Sequence, residues 1–322
     1  MVSCMNNAVL GHDGAAQRFT TLMQQNKLPH AWLLHGLRGV GKAMLAKSLA
    51  GAYLCESLTS DGLACGQCHG CHMLAAGSHP DFMPLGILWD EKKKKFNRDI
   101  RVGQVRDALS FLSLSGMQSR RRVVLLDDAD AMNGQAANAL LKGLEEPSSG
   151  SLLVIVCHDI TRLPATIRSR CMLEHCTALN ENYMQQALNN MALTENIVPL
   201  ATELAMGRPG HITVLQDDDV AEACLQWFKQ AGDISRADIG VMNDTLTKYI
   251  QVIPHDLIIA ILMLSLQEKL QQPAVTYTSK QYVFQSAQAL LAWPTDVIRH
   301  SLRPVPALIS RILDMRGALK AQ

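Results

Sequence analysis

The feature that most constrains the fold lies in residues 31–54. There a short apolar run, Ala31-Trp32-Leu33-Leu34-His35, passes through a glycine-rich loop into a segment with helical spacing at 42–54. Two more apolar runs, at 123–127 and 152–156, are too short for buried helices and β-branched enough for strands covered on both faces. Between them residues 135–144 have helical spacing and end before Pro147, and residues 15–25 read as a helix ahead of the first strand. Strand, helix and strand in this order predict a parallel α/β sheet with right-handed crossovers.

After Cys176 the strand signal disappears. Residues 180–191, 197–205, 212–215 and 220–231 have helical periodicity, as do several later stretches. The pattern is punctuated by Gly207-Arg208-Pro209-Gly210 and by Pro254, Pro273, Pro294 and Pro304. The second half therefore reads as all-helical. One boundary is expected near 178, and a softer one near 217, where Gln216-Asp217-Asp218-Asp219 reads as a polar linker or cap. The expected division is 1–178, 179–216 and 217–322, and 322 residues are enough for two or three domains with cores of their own.

Composition narrows the class further. With 48% hydrophobic and 18% charged residues the chain is neither disordered nor collagen-like nor a disulfide miniprotein. A net charge of +1 gives no global case for nucleic acid or an anionic membrane. The longest strongly apolar stretch, 257–264, is far short of the roughly 20 residues that span a bilayer, and the first residues do not pair a basic region with an apolar one. No membrane association and a cytoplasmic location are expected. In that compartment the nine cysteines are free, buried or metal-bound rather than paired.

Gly36-Leu37-Arg38-Gly39-Val40-Gly41-Lys42-Ala43 stands where a phosphate-binding loop belongs, between a strand and a helix. Glycines let successive backbone N–H groups curl round a phosphate, the helix N-terminus adds positive partial charge, and Lys42 would reach the outer phosphates. Gly36, Gly39, Gly41, Lys42 and Ala43 are the candidate nucleotide contacts. Ala43 stands where Ser or Thr would offer Mg²⁺ a hydroxyl, so ATP with Mg²⁺ is a candidate ligand while efficient hydrolysis is not expected. The plainer alternative is a glycine-rich turn with an exposed lysine. Asp127 and Asp128 end the second apolar run. In an NTPase the first holds Mg²⁺ through water and the second polarises the attacking water. Asp128 is one methylene shorter than the usual Glu, a retreat of about 1 Å that can lower a rate on the order of 100-fold. Here the alternative is two solvated acids at a strand end.

Four of the cysteines fall together. Cys55, Cys65, Cys68 and Cys71 have C-x9-C-x2-C-x2-C spacing around Gly66 and Gly70, which suits one tetrahedral Zn²⁺. A site with four thiolates has no open position for water, so its zinc would staple a loop rather than catalyse. A redox pair and an Fe–S cluster are the alternatives. His69 and His72 could substitute for a thiolate but read as solvated or as supporting neighbours. The remaining cysteines, at 4, 157, 171, 176 and 224, read as small hydrophobes.

Leu163-Pro164-Ala165-Thr166-Ile167-Arg168-Ser169-Arg170-Cys171 follows the third apolar run. Several motifs precede it in order: the P-loop, the cysteine cluster, His79-Pro80-Asp81, Ala136-Ala137-Asn138-Ala139-Leu140-Leu141-Lys142, and Leu144-Glu145-Glu146-Pro147. In that order the chain resembles the bacterial clamp-loader AAA+ ATPases, over roughly residues 8–215 by motif and the helical remainder by architecture. The resemblance implies an AAA+ domain with an inserted zinc knuckle, a helical lid and an all-α collar that oligomerises. It implies that Arg170 of Ser169-Arg170-Cys171 projects into the ATP site of a neighbouring subunit, with Arg168 the adjacent candidate. It implies that Val9-Leu10-Gly11-His12 lies against the adenine in members that bind nucleotide. The implied partners are motor (gamma/tau) and delta subunits of a DNA polymerase III clamp loader and, through the complex, the sliding clamp and primed DNA.

Departures from the motor pattern matter as much as matches. Cys157-His158 stands where motors carry a polar sensor, and glycine aligns where the lid would offer a sensor arginine. With Ala43 and Asp128 these make a ring-completing subunit with little or no ATPase of its own the expected role, an ATP-hydrolysing motor being the rival. The basic runs Lys92-Lys93-Lys94-Lys95 with Arg98 and Arg101, and Arg120-Arg121-Arg122, read as solvated loops rather than as DNA contacts.

Overall fold

The computed structural model describes residues 9–90, 95–97, 99–114, 121–232, 237–270 and 277–320; the run 92–94, Arg98 and Arg120 lie outside them. Two compact units emerge, Met1–Ala187 with Gly207–Gly210, and Leu188–Met206 with His211–Gln322.

The first unit begins with α1 (Asp13–Gln24), β1 (Ala31–His35), α2 (Lys42–Leu54), α3 (His69–Ala75) and β2 (Phe82–Leu85). An antiparallel pair, β3 (Trp89–Asp90) and β4 (Lys95–Phe96), precedes α4 (Val102–Ser113), β5 (Arg122–Leu126), α5 (Gly134–Glu145) and β6 (Ser151–Cys157). Then come α6 (Ala165–Arg168), β7 (Met172–His175) and α7 (Glu181–Asn189). Five strands form one sheet in the order β2-β5-β6-β1-β7, and every adjacent pair is parallel.

Side chains alternate between the two faces of a strand, so a strand covered on both sides must be apolar throughout. Trp32, Leu34, Val123, Leu125, Val154 and Val156 pack with Phe19 of α1 and with Leu45 and Leu49 of α2. Their neighbours Leu33, Val124, Leu126, Leu153 and Ile155 pack on the other face with Val105 of α4 and Leu140 of α5. Helices on both faces explain the continuous apolar runs. They also place the C-terminal ends of β1, β5 and β6, which carry Gly36, Asp127 and His158, side by side.

Strands and helices lie where the strong patterns predict them, to within two residues. Beyond those, β2 and β7 form the two edges of the sheet. Edge strands are covered less completely, and their patterns are weaker: β2 contains Pro84, Leu173 of β7 is exposed, and Glu174 is paired bidentately with Arg18 of α1 at 3.0 and 3.2 Å.

In the second unit every described element is helical. It contains α8 (Val198–Ala205), α9 (Asp218–Ala231), α10 (Ile239–Tyr249), α11 (His255–Leu270), α12 (Tyr277–His300) and α13 (Pro304–Lys320). Asp217 and Asp238 cap α9 and α10 by accepting backbone N–H bonds from their first turns. Two expectations change here. Residues 213–216 make a single 3₁₀ turn, and Pro294 lies inside α12 rather than ending a helix. Proline removes one N–H and crowds the carbonyl four residues back. Packing across the α12–α13 hairpin carries the helix through: Leu290 and Trp293 are buried, Trp293 Nε1 donates to Pro304 O at 3.1 Å, and Arg311 pairs with Asp296 at 2.7 Å. Among the described residues no helix is long and apolar enough to cross a membrane.

Candidate functional site

The glycine loop connects β1 to α2 as its sequence predicts. Gly36 has φ +141°, and a Cβ there would collide with the Cys176 carbonyl, so only glycine fits where β1 runs beside the end of β7. The loop closes on its own backbone. Lys42 is buried, and its Nζ donates to Gly36 O and Leu37 O, both at 2.7 Å. Burial pulls its pKa below the usual lysine range. Gly210 N donates to Gly39 O at 2.8 Å, and the Gly210 backbone lies so close that a Cβ would stand 2.9 Å from Gly39 Cα. His12 is also buried there, and because a carbonyl can only accept, its Nε2 carries the proton in the 2.7 Å bond to Val40 O. Residues 9–12 thus lie against the loop.

The acidic pair sits beyond β5. Asp127 Oδ1 accepts from Asp128 N at 2.9 Å. Asp128 adopts a left-handed backbone, φ +51°, which Asp tolerates better than most residues. Its carboxylate is engaged by the Arg38 guanidinium and, at 2.9 Å, by His158 Nε2. These partners, His158 first, hold the Asp128 carboxyl below its usual range. Ligand atoms of Asp127, Asp128 and His158 fall within 4.8 Å of one another, a spacing a divalent cation could bridge. The set does not fit a working Mg²⁺·ATP site, because Ala43 supplies no oxygen and Asp128 is already ion-paired with the loop's own arginine. The strand patterns brought these residues together; the Arg38–Asp128–His158 contacts and the seat of Gly210 on Gly39 carry no local sequence signal, since each joins distant segments.

The four cysteines converge as their spacing predicts. Cys55 ends α2, Cys68 caps α3, and all four Sγ atoms lie within 4.8 Å of one another. Four thiolates at the 2.3 Å Zn–S distance in a tetrahedron are about 3.8 Å apart. The observed separations are 3.9 Å for Cys55–Cys68, 4.0 Å for Cys65–Cys71 and 3.7 Å for Cys71–Cys55. Backbone N–H groups of Cys65, Gln67, Cys68 and Cys71 point at the sulfurs at 3.3–3.4 Å, and those of Gln67 and Cys68 lower the Cys65 thiol to about 6. The cluster fits one tetrahedral ion, and zinc suits a closed four-thiolate set. Next to it, His79 Nδ1 accepts from Asp81 N at 3.1 Å, and Asp81 pairs with the buried Arg122 at 3.5 Å.

Arg170 follows the short helix α6 and is part-exposed, with Nη2 2.8 Å from Glu145 Oε1 and Nη1 3.0 Å from Thr166 O. Arg168 is half-buried with its Nε sealed from solvent, whereas Arg170 is exposed. Arg170 is therefore the more available cation of the two.

A family profile described as DNA polymerase III, delta subunit matches residues 11–180. The DNA polymerase III delta' subunit of Pseudomonas aeruginosa is 46% identical over 147 residues, covering 46% of this chain and 43% of that protein. The delta' subunit of Escherichia coli is 30% identical over 204 residues, 63% of this chain and 59% of that protein. The tau/gamma subunit of Haemophilus influenzae is 30% identical over 208 residues, 63% of this chain and 29% of that protein. The chain spans about half the length of the curated delta' relatives it matches. A DNA polymerase III gamma subunit-related protein of Thermotoga maritima shares the fold, with a TM-score of 0.51 at 14% identity over 93% of this chain and 99% of its own. A profile match over more than half of its length, in line with these relatives, makes the chain a member of the DNA polymerase III delta-subunit family.

Proposed function

We propose that this chain acts as a delta'-type subunit of the replicative clamp loader, completing a heteromeric ring and presenting Arg170 to ATP held by a neighbouring motor subunit. One observation carries the reading: a phosphate loop closed on its own backbone stands in the same unit as a part-exposed arginine following α6. A subunit built this way supplies a cation without turning over nucleotide itself. Trans arginines stabilise the charge that develops on the transferred phosphoryl group and are worth roughly 10³–10⁵ in rate. In this reading residues 1–178 are the AAA+ domain, 179–216 the lid and 217–322 the collar that packs with other subunits. Zinc held by Cys55, Cys65, Cys68 and Cys71 keeps the knuckle shaped. The partners are gamma/tau and delta subunits and, through them, the sliding clamp and primed DNA in the cytoplasm.

The similarity to tau/gamma subunits favours one second reading, a motor that hydrolyses ATP itself. Steady-state ATPase of the chain alone, with and without Mg²⁺, separates the two. The proposal expects no turnover above background. Saturable Mg²⁺-dependent hydrolysis that Lys42→Ala abolishes would establish the motor.

A further inference from the structure

The Arg170 guanidinium does not project freely. One nitrogen lies 2.8 Å from Glu145 Oε1, and another donates to Thr166 O at 3.0 Å. Glu145 is the last residue of α5, and Glu146 follows as its C-cap. A helix C-terminus carries about half a negative charge, so two carboxylates there are repelled by their own helix unless a cation neutralises them. Lys142 offers one cation from the same last turn, and Arg170 brings another from across the α5–α6 contact.

We propose that Glu145 parks Arg170 on its own subunit, and that the arginine reaches a neighbour's nucleotide only when this pair opens. The inference rests on the reading of Arg170 as a trans-acting finger, and within it Glu145 is a positioning residue. The side chains are 37% and 53% exposed, so water screens the pair. Exposed ion pairs of this kind bias an equilibrium by no more than about five-fold. Phosphate oxygens carry more charge and accept two parallel N–H bonds from one guanidinium, so a triphosphate in reach competes with the carboxylate. The latch holds fully while the neighbouring site is empty, and with nucleotide bound Glu145 still draws the guanidinium away for part of the time, which lowers kcat.

The test uses the reconstituted loader with primed DNA and clamp, at low and high ionic strength. Glu145→Gln keeps the shape of the side chain and removes its charge. The expected result is a rise in kcat of roughly two- to five-fold at low salt, with KM for ATP unchanged and the gain fading as salt screens the pair. The gain should vanish in an Arg170→Ala background, because a latch without its finger does nothing. Glu146→Gln removes the same charge without touching the Arg170–Glu145 pair and should leave kcat unchanged. An unchanged or lower kcat for Glu145→Gln, while Arg170→Ala still slows the loader, overturns the latch and leaves the finger standing. An equal rise from Glu146→Gln also overturns it, as a general charge effect. If Arg170→Ala leaves kcat unchanged, the finger reading fails and the latch with it.

Discussion

Replacing Gly210 by alanine should open the phosphate loop. Gly210 N donates to Gly39 O at 2.8 Å, and the added Cβ would stand 2.9 Å from Gly39 Cα and 3.0 Å from Gly39 O. Both neighbours are backbone, so no side-chain rotation relieves the clash. Overpacking of this kind costs about 1–3 kcal/mol, and the hydrogen bond lost on separation contributes about 0.5–1.5 kcal/mol. The penalty falls on the closed arrangement only, because a Cβ at 210 meets Gly39 only while the two segments touch. A site that binds from a minor open state has an apparent Kd equal to the intrinsic Kd divided by the open fraction. Destabilising the closed state by about 1.4 kcal/mol therefore tightens nucleotide binding about ten-fold, up to the limit at which the open state is fully populated. Anisotropy titration of a fluorescent ATP analogue into the isolated chain reads this directly, with a melting curve to show that the variant is folded. Lys42→Ala in the same background should remove the gain. Equal affinity of wild type and Gly210→Ala, or weaker binding by the variant, would show that the Gly210–Gly39 contact does not compete with nucleotide.

Protein prepared without chelator should contain about one zinc per chain, and Cys68→Ser should lower both the zinc content and the melting temperature; metal analysis showing no stoichiometric zinc would contradict the site. Asp81→Ala should lower stability by about 3–5 kcal/mol in urea unfolding, because it leaves the buried Arg122 cation without this partner; a loss under about 1 kcal/mol would mean that the remaining contacts of Arg122, the Phe111 ring and carbonyl among them, hold it without Asp81. The Asp128 carboxyl titrates below its ordinary 3.8 in the folded protein, so its contribution to stability is present above that pH and lost as pH falls through the lower folded value. Asp128→Asn should therefore flatten the acid limb of the stability profile below about pH 4, and an unchanged acid limb would rule out the Arg38–Asp128–His158 cluster as its source.

The legible parts of this fold are those where physical chemistry acts on neighbouring residues. A strand buried on both faces must be apolar at every position, so β1, β5 and β6 announce themselves, whereas Pro84 and the Arg18-paired Glu174 hide the edge strands. Thiol spacing within one turn fixes the cysteine cluster because Cys65, Cys68 and Cys71 share a short segment. Pro294 lies inside its helix because contacts from α13 hold that helix, which a local rule cannot weigh. The same limit applies at the site. The loop, the acids and Arg170 are readable singly, but the contacts that decide their chemistry span long stretches of chain: Gly210 on Gly39, Arg38 with His158 on Asp128, Glu145 on Arg170.

The proposed role is that this subunit contributes an arginine to a neighbour's chemistry and performs none itself. Single-turnover ATP hydrolysis by the reconstituted loader, wild type against Arg170→Ala with the complex shown intact by sizing, tests it most directly. One class of ATP in the loader should be hydrolysed roughly 10³-fold or more slowly in the variant, with the remaining classes unchanged. Hydrolysis of every ATP at the wild-type rate would contradict it.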